Sequence, residues 1–292
     1  IYLNHISSSS KIVNVIFKEN RATKNGGAID CNASYMGLFN TLFESNYAGE
    51  YGAGLCREAG AEHGYGGNNT FNTNFAGKAG AALAWLDVDG ITINNYTFYN
   101  NSAQYSGGAI YVNKNSPNCK VINSTFELNY VVDVLSGRGG VIDWLGTNGT
   151  IYNSTFGLSY AIVAGALYIA SDNMNITKSN FSYAITLQRG GSILGDGANN
   201  ATITDCYFDN SAAIGYITPE DKNFGQGGAI YWINSENLTI SNTVFYKTES
   251  HADGAVYLLN CNNSGLYNVL FNDSFSIRSG GSISWVNSTN GT

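Results

Sequence analysis

The sequence predicts an all-β fold: a single-stranded parallel β-helix of about ten coils, each of about 27 residues and three short strands. Three observations carry this expectation. A Phe recurs ten times, at Phe17, Phe43, Phe71, Phe98, Phe126, Phe156, Phe181, Phe208, Phe245 and Phe271. A glycine-rich segment follows it about nine residues later in most copies, as in Gly26-Gly27-Ala28-Ile29 and Gly107-Gly108-Ala109-Ile110. The apolar residues around both alternate with period 2, and no window holds a sustained 3.6-residue stripe, so almost no helix is expected.

Within a coil, the first strand lies five residues before the Phe, at Ile12, Leu38, Ile93, Val121, Ile151, Ile176, Ile203, Ile240 and Leu266. The third coil breaks this column with Gly66 and is irregular from Arg57 to Gly67. The Phe itself carries the second strand. The third begins after the glycines, at residues such as Ile29, Ile110, Ile142, Ile193 and Ile230. It continues two residues later with Trp85, Val112, Trp144, Ile169, Trp232, Leu258 and Trp285. One coil cannot bury its apolar face alone, whereas stacked coils bury a continuous core. Paired strands lie about 4.8 Å apart, so ten coils make a rod roughly 45–50 Å long.

Two asparagine columns flank the Phe. One stands three residues before it, at Asn14, Asn40, Asn68, Asn95, Asn123, Asn153, Asn242 and Asn268. The other stands three residues after it, at Asn20, Asn46, Asn74, Asn101 and Asn129, then lapses. A side-chain amide has two donors and two acceptors, so stacked Asn can bond to one another and to the turn backbone. The glycine pair suits tight corners, where φ > 0 or close backbone approach excludes a Cβ.

The period is broken twice, around Val131 to Gly139 and at about residues 214–226. Both insertions fall between Phe and the glycines, and insertions on one face of a solenoid often carry binding. The whole of 1–292 reads as one continuous solenoid with a protruding loop at 214–226. Neither end shows a helical or polar cap, so further coils or domains, or end-to-end stacking of segments, are expected beyond this stretch.

Bulk properties narrow the function. The net charge is −7 with no basic stripe, which argues against nucleic acid as a partner. No apolar run approaches the ~18 residues of a membrane span, so direct membrane insertion of this segment is not expected. The five Cys are scattered and form no CxxC, consistent with buried thiols acting as small hydrophobes. No cofactor or metal is implied.

Catalytic signals are weak. A glycosidase of this shape needs clustered carboxylates, and no Asp-Asp pair occurs. The best group is Asp30 and Asp143 with Glu58, Glu62 and His63, which reads as solvated surface. The residue following the post-glycine aliphatic points outward by alternation, and this column holds Tyr2, Tyr111, Tyr168, Tyr231 and Tyr257. Tyr suits strands in any case, but exposed rings also stack on sugars. Tyr111, Tyr168, Tyr231 and Tyr257, with Tyr216, Glu220 and Asp221 of the long insertion, are the candidate binding residues.

Fifteen Asn-x-Ser/Thr sequons occur. Those at Asn68, Asn95, Asn123 and Asn153 belong to the column before the Phe, which is expected to form a buried ladder unable to carry glycans. Asn148, Asn200, Asn237, Asn262 and Asn287 fall in turn-like stretches and are the better candidate acceptors.

Phe-x-x-Asn followed by Gly-Gly-Ala-Ile resembles the repeats of chlamydial polymorphic membrane proteins. It is complete at Phe17/Asn20 with Gly26 to Ile29, and at Phe98/Asn101 with Gly107 to Ile110. The Asn, Ser and Thr richness and low charge look still more like the adhesin-like surface proteins of methanogenic archaea. The resemblance implies a right-handed coil and an extracellular, cell-surface protein acting in adhesion without catalysis. Its expected partner is a glycan or protein on another cell. A β-helical polysaccharide lyase or glycoside hydrolase, and a self-assembling fibre subunit, are the competing expectations.

Overall fold

The structure, a computed structural model, describes residues 1–215 and 224–292. It is an all-β parallel solenoid in which each strand pairs with its equivalent one coil away. Among the described residues the one helical element is the 3-10 turn His5–Ser7.

Each coil contributes four strands, not three. One sheet of eleven strands and three of ten run the length of the chain. We label them A to D by their order in the first coil: Tyr2–Leu3, Lys11–Val13, Ile16–Lys18 and Arg21–Ala22. The strands predicted from apolar columns are B, C and A. Sheet D is additional, and many of its strands are two residues long, such as Tyr47–Ala48, Phe75–Ala76 and Ser102–Ala103. Their inward residues are mostly small and give little apolar signal.

The columns stack in the expected register. Ile12 pairs with Leu38 in B, Phe17 with Phe43 in C, and Ile29 with Leu55 in A. Eight of the ten Phe, from Phe43 to Phe245, are 0% exposed. Their rings form one pile with neighbouring centroids 4.4–5.3 Å apart and interplanar angles of 12° or less. Offset stacking of this kind adds to the area term of burial.

The two Asn columns differ in environment. The column after the Phe is the interior one, and Asn46, Asn74, Asn101 and Asn129 are buried. Each Oδ1 accepts both the backbone N–H and the Nδ2 of the preceding coil's Asn, at 2.9–3.1 Å. Each Nδ2 also donates to a Phe carbonyl, as Asn74 does to Phe43 at 3.1 Å. The column before the Phe is exposed, which corrects the expectation of a buried ladder. Asn40, Asn68, Asn95, Asn123 and Asn153 all adopt left-handed φ of 48–60° on the outside. Asn tolerates this backbone at sharp corners. Of the first-choice sequon sites, Asn148, Asn200, Asn237 and Asn287 are exposed and Asn262 is half-buried. The Nδ2 groups of Asn148, Asn200 and Asn237 already donate along a further outer ladder.

Gly107 shows why the glycine pair recurs. Its φ is +54°, and a Cβ would run into the Ile110 carbonyl. In the degenerate sixth coil Ala164 takes the same conformation, at φ +58°.

The irregular third coil has a physical cause. Arg57 occupies the inward column of sheet A, between Cys31 and Trp85, and is 2% exposed. Its Nη2 donates to the Met36 carbonyl at 3.1 Å, and its Nη1 has no partner. A Cβ at Gly64 would meet this guanidinium, and one at Gly66 the Tyr96 hydroxyl. The glycines of this coil make room for two polar groups inside the core. All five Cys are free and buried.

Candidate functional site

The chain leaves sheet D, runs outward, and returns through the glycine corner to sheet A. The residue just before that corner forms a ladder of isolated bridges: Tyr51, Ala79, Ser106, Arg138 and Val163, then Arg189, Gln226, Asp253 and Ser279. This ladder is a lip beside the outward column of sheet A. The column is therefore lined rather than open. Tyr111 and Tyr168 are half-buried, while Tyr231 and Tyr257 are 3% and 7% exposed. The expectation of a freely exposed Tyr face is corrected to this extent. Alternation fixes which way a side chain points, but not what stands beside it.

Over coils six to nine two strands of sheet D lengthen to Ser159–Val163 and Ala184–Arg189, and two of sheet A lengthen to Ile230–Glu236 and Val256–Asn262. Between them lies a cavity of about 340 Å³, with Arg138, Arg189, Tyr168, Tyr231, Asp196 and Ile233 in its lining. Arg138 Nε donates to Asp143 Oδ2 at 3.0 Å, and its guanidinium lies 4.5 Å over the Tyr168 ring. Arg189 repeats the motif two coils on, 5.4 Å over Tyr231. The Tyr168 hydroxyl donates to Asp196 Oδ2 at 3.3 Å.

Asp143 is 0% exposed, not solvated surface. Burial pushes its carboxyl above the ordinary value, and the Arg138 charge offsets this only in part. Burial alone would lower Arg138; the charge and hydrogen bond of Asp143 carry it upward. Burial also pushes the hydroxyls of Tyr111 and Tyr168 up to about 12, so both stay neutral donors at physiological pH.

The other sequence candidates are placed as follows. Asp30 and Glu58 do come together, joined by Cys56 rather than by Asp143. Glu62 is exposed, and His63 lies against Tyr35 at 5.2 Å. Tyr216, Glu220 and Asp221, and most of the 214–226 loop, lie outside the described residues. Arg138, Arg189 and Asp196 were not among the candidate binding residues. A signal for the arginines exists: both immediately precede the glycine corner, at the repeat position that the lip ladder occupies.

Burial, with the Glu58 charge adding to it, pushes the Asp30 carboxyl up from 3.8 to about 6. Between these values the folded chain holds a proton that the unfolded chain releases. Stability therefore falls as pH rises from about 4 to about 6, then levels. Asp30→Asn is expected to remove this component of the slope in chelator-containing urea titrations. An unchanged slope would refute the assignment.

The Chlamydia polymorphic membrane protein repeat matches residues 14–32 and 95–113. These are the two coils in which Phe-x-x-Asn and Gly-Gly-Ala-Ile are both complete. No curated protein matches the chain. Among solved structures, a Streptococcus pneumoniae surface protein and adhesin, PfbA, is similar over 97% of this chain and 90% of its own, at 13% identity and TM-score 0.42. A mannuronan C-5 epimerase module of Azotobacter vinelandii, AlgE6, is similar over 97% and 92%, at 9% identity and TM-score 0.36. At these TM-scores the likeness bears on neither function nor site.

Proposed function

We propose that this chain is the β-helical part of an adhesin-like, extracellular surface protein, and that the cleft over coils five to eight binds a glycan of another cell without turning it over. The observation that carries this reading is the lining itself. Tyr168 and Tyr231 form its floor beneath the Arg138 and Arg189 guanidinium groups, and Asp196 and Asn234 add polar groups around one concave volume. A few placed polar groups on an aromatic floor are what recognition of a hydroxyl-rich ring requires. The insertion at 131–139 supplies Ser136 and Arg138 to the same cleft. The match of two coils to a polymorphic membrane protein repeat supports this location.

The test is a glycan array followed by titration of the best binder. Tyr168→Ala and Asp196→Ala are expected to weaken binding about tenfold or more, the scale of a lost stacking or charged contact (~1.4 kcal/mol and above). Phe75→Ala, on the outer face of sheet D, is expected to leave it unchanged. Arg138 is a poor choice of variant because its loss strands the buried Asp143 charge. Binding unaffected by both cleft variants would overturn the proposal. Release of new reducing or unsaturated ends from any polysaccharide in the panel would replace it with an enzymatic role.

A further inference from the structure

We propose that Asp30, Cys56 and Glu58 form a divalent-cation site of the zinc class on the outward face of sheet A, independent of the cleft. Asp30 and Cys56 are direct register partners in neighbouring coils, and Glu58 follows one residue after the strand Leu55–Arg57. One donor atom from each of the three lies within 4.8 Å of the other two.

Two carboxylates alone would not make a site, since acidic side chains meet on surfaces without any ion. The thiol supplies the second argument. Cys31, Cys119, Cys206 and Cys261 each donate S–H to a backbone carbonyl, at 3.3–3.6 Å. Cys56 is just as buried, at 0% exposure, yet its sulfur has no hydrogen-bond partner among the described residues. It faces the two carboxylates instead. Asp30 Oδ1 is a second buried atom without a partner. Glu58 is already oriented, because Asn25 Nδ2 donates to its Oε1 at 2.6 Å. Such an outer contact commonly fixes a ligating carboxylate.

The donor set selects the metal. A sulfur beside two oxygens suits Zn²⁺, or its softer analogue Cd²⁺, and not Ca²⁺ or Mg²⁺, which take oxygen alone. Tetrahedral Zn²⁺ with ~2.0 Å Zn–O and ~2.3 Å Zn–S bonds has O–O and O–S edges of about 3.3–3.5 Å. The present spacing is within 4.8 Å, so a small rotamer adjustment closes the set. The fourth position faces the opening lined by Arg21, Lys24 and Asn25, where water can complete the shell. The Arg21 guanidinium at this opening is engaged 4.8 Å over the Tyr47 ring. As the Sγ–metal bond forms, the Cys56 S–H bond breaks and its proton leaves to solvent, while the two carboxylates bind as anions.

The test titrates the reduced chain with Co²⁺ and then Zn²⁺. One equivalent of Co²⁺ is expected to give a thiolate-to-cobalt absorption band in the near ultraviolet, and Zn²⁺ is expected to erase it. Cys56→Ser should abolish the band and weaken Zn²⁺ binding about tenfold or more. Asp30→Asn should weaken both metals, and Cys119→Ser should change nothing. Absence of the band in the wild-type chain overturns the proposal whatever the variants do. So does Zn²⁺ affinity unchanged by Cys56→Ser.

Discussion

Phe126→Ala is expected to destabilise the chain by about 3–5 kcal/mol, the range for truncating a fully buried aromatic. Phe126 is 0% exposed, and its ring is stacked between Phe98 at 4.5 Å and Phe156 at 4.8 Å, nearly parallel to both. Removing it loses the transfer term, leaves a cavity in the core, and breaks two ring contacts at once. Each coil contacts only its neighbours, so the defect should fall at the two interfaces of this coil and divide unfolding into two transitions. Phe271→Ala provides the contrast. Its ring is only half-buried and has one stacked neighbour, Phe245 at 4.9 Å, so the loss should be clearly smaller. Urea unfolding followed by circular dichroism measures both. Equal losses at the two positions, or a loss below ~1 kcal/mol at Phe126, would show that the pile is not the continuous core described here.

The coil was legible because its signals are columns. A Phe that reappears at one repeat position, and an aliphatic five residues before it, report inward faces that any stacked coil must bury. Sheet D was not legible for the opposite reason. Its inward residues are small, such as Ala48, Ala76 and Ala103, and many of its strands are only two residues long, too short to show alternation. That omission propagated to the site. Sheet D and the corner following it raise the lip that half-covers Tyr168 and buries Tyr231. Without it, the Tyr column looked like an open face. The Asn column before the Phe was placed in the interior because position relative to Phe does not say which side of a turn an amide occupies. Asn at a left-handed corner points outward, whereas the Asn after the Phe turns in and caps the next coil.

Arg57 illustrates a feature that was legible and passed over. It stands two residues after Ala53-Gly54-Leu55 begins the sheet A strand, at the repeat position of Trp85, Val112 and Trp144, so the column itself assigns it to the core. The broken apolar column at Gly66, and Gly64 before it, are the same fact seen from the opposite wall.

The position yields the prediction with the opposite sign. Arg57→Met is expected to stabilise the chain by about 1–4 kcal/mol, the gain seen when buried ionic groups give way to apolar ones of similar volume. Burial pulls the guanidinium down from its ordinary value, and no carboxylate is among the groups acting on it; only Cys31, Tyr96 and Cys119 favour its charge. One carbonyl bond, to Met36, and one orphan Nη1 leave most of the desolvation cost unreturned. Methionine is unbranched and flexible enough to fill the channel that Gly64 and Gly66 leave open. Arg57→Ala separates charge from volume: it removes the charge too but leaves a cavity, and it should fall below Arg57→Met by the 2–5 kcal/mol of a core truncation. Thermal and urea unfolding of the three chains decide the matter. If Arg57→Met unfolds more easily than the wild type, the guanidinium is compensated inside the core.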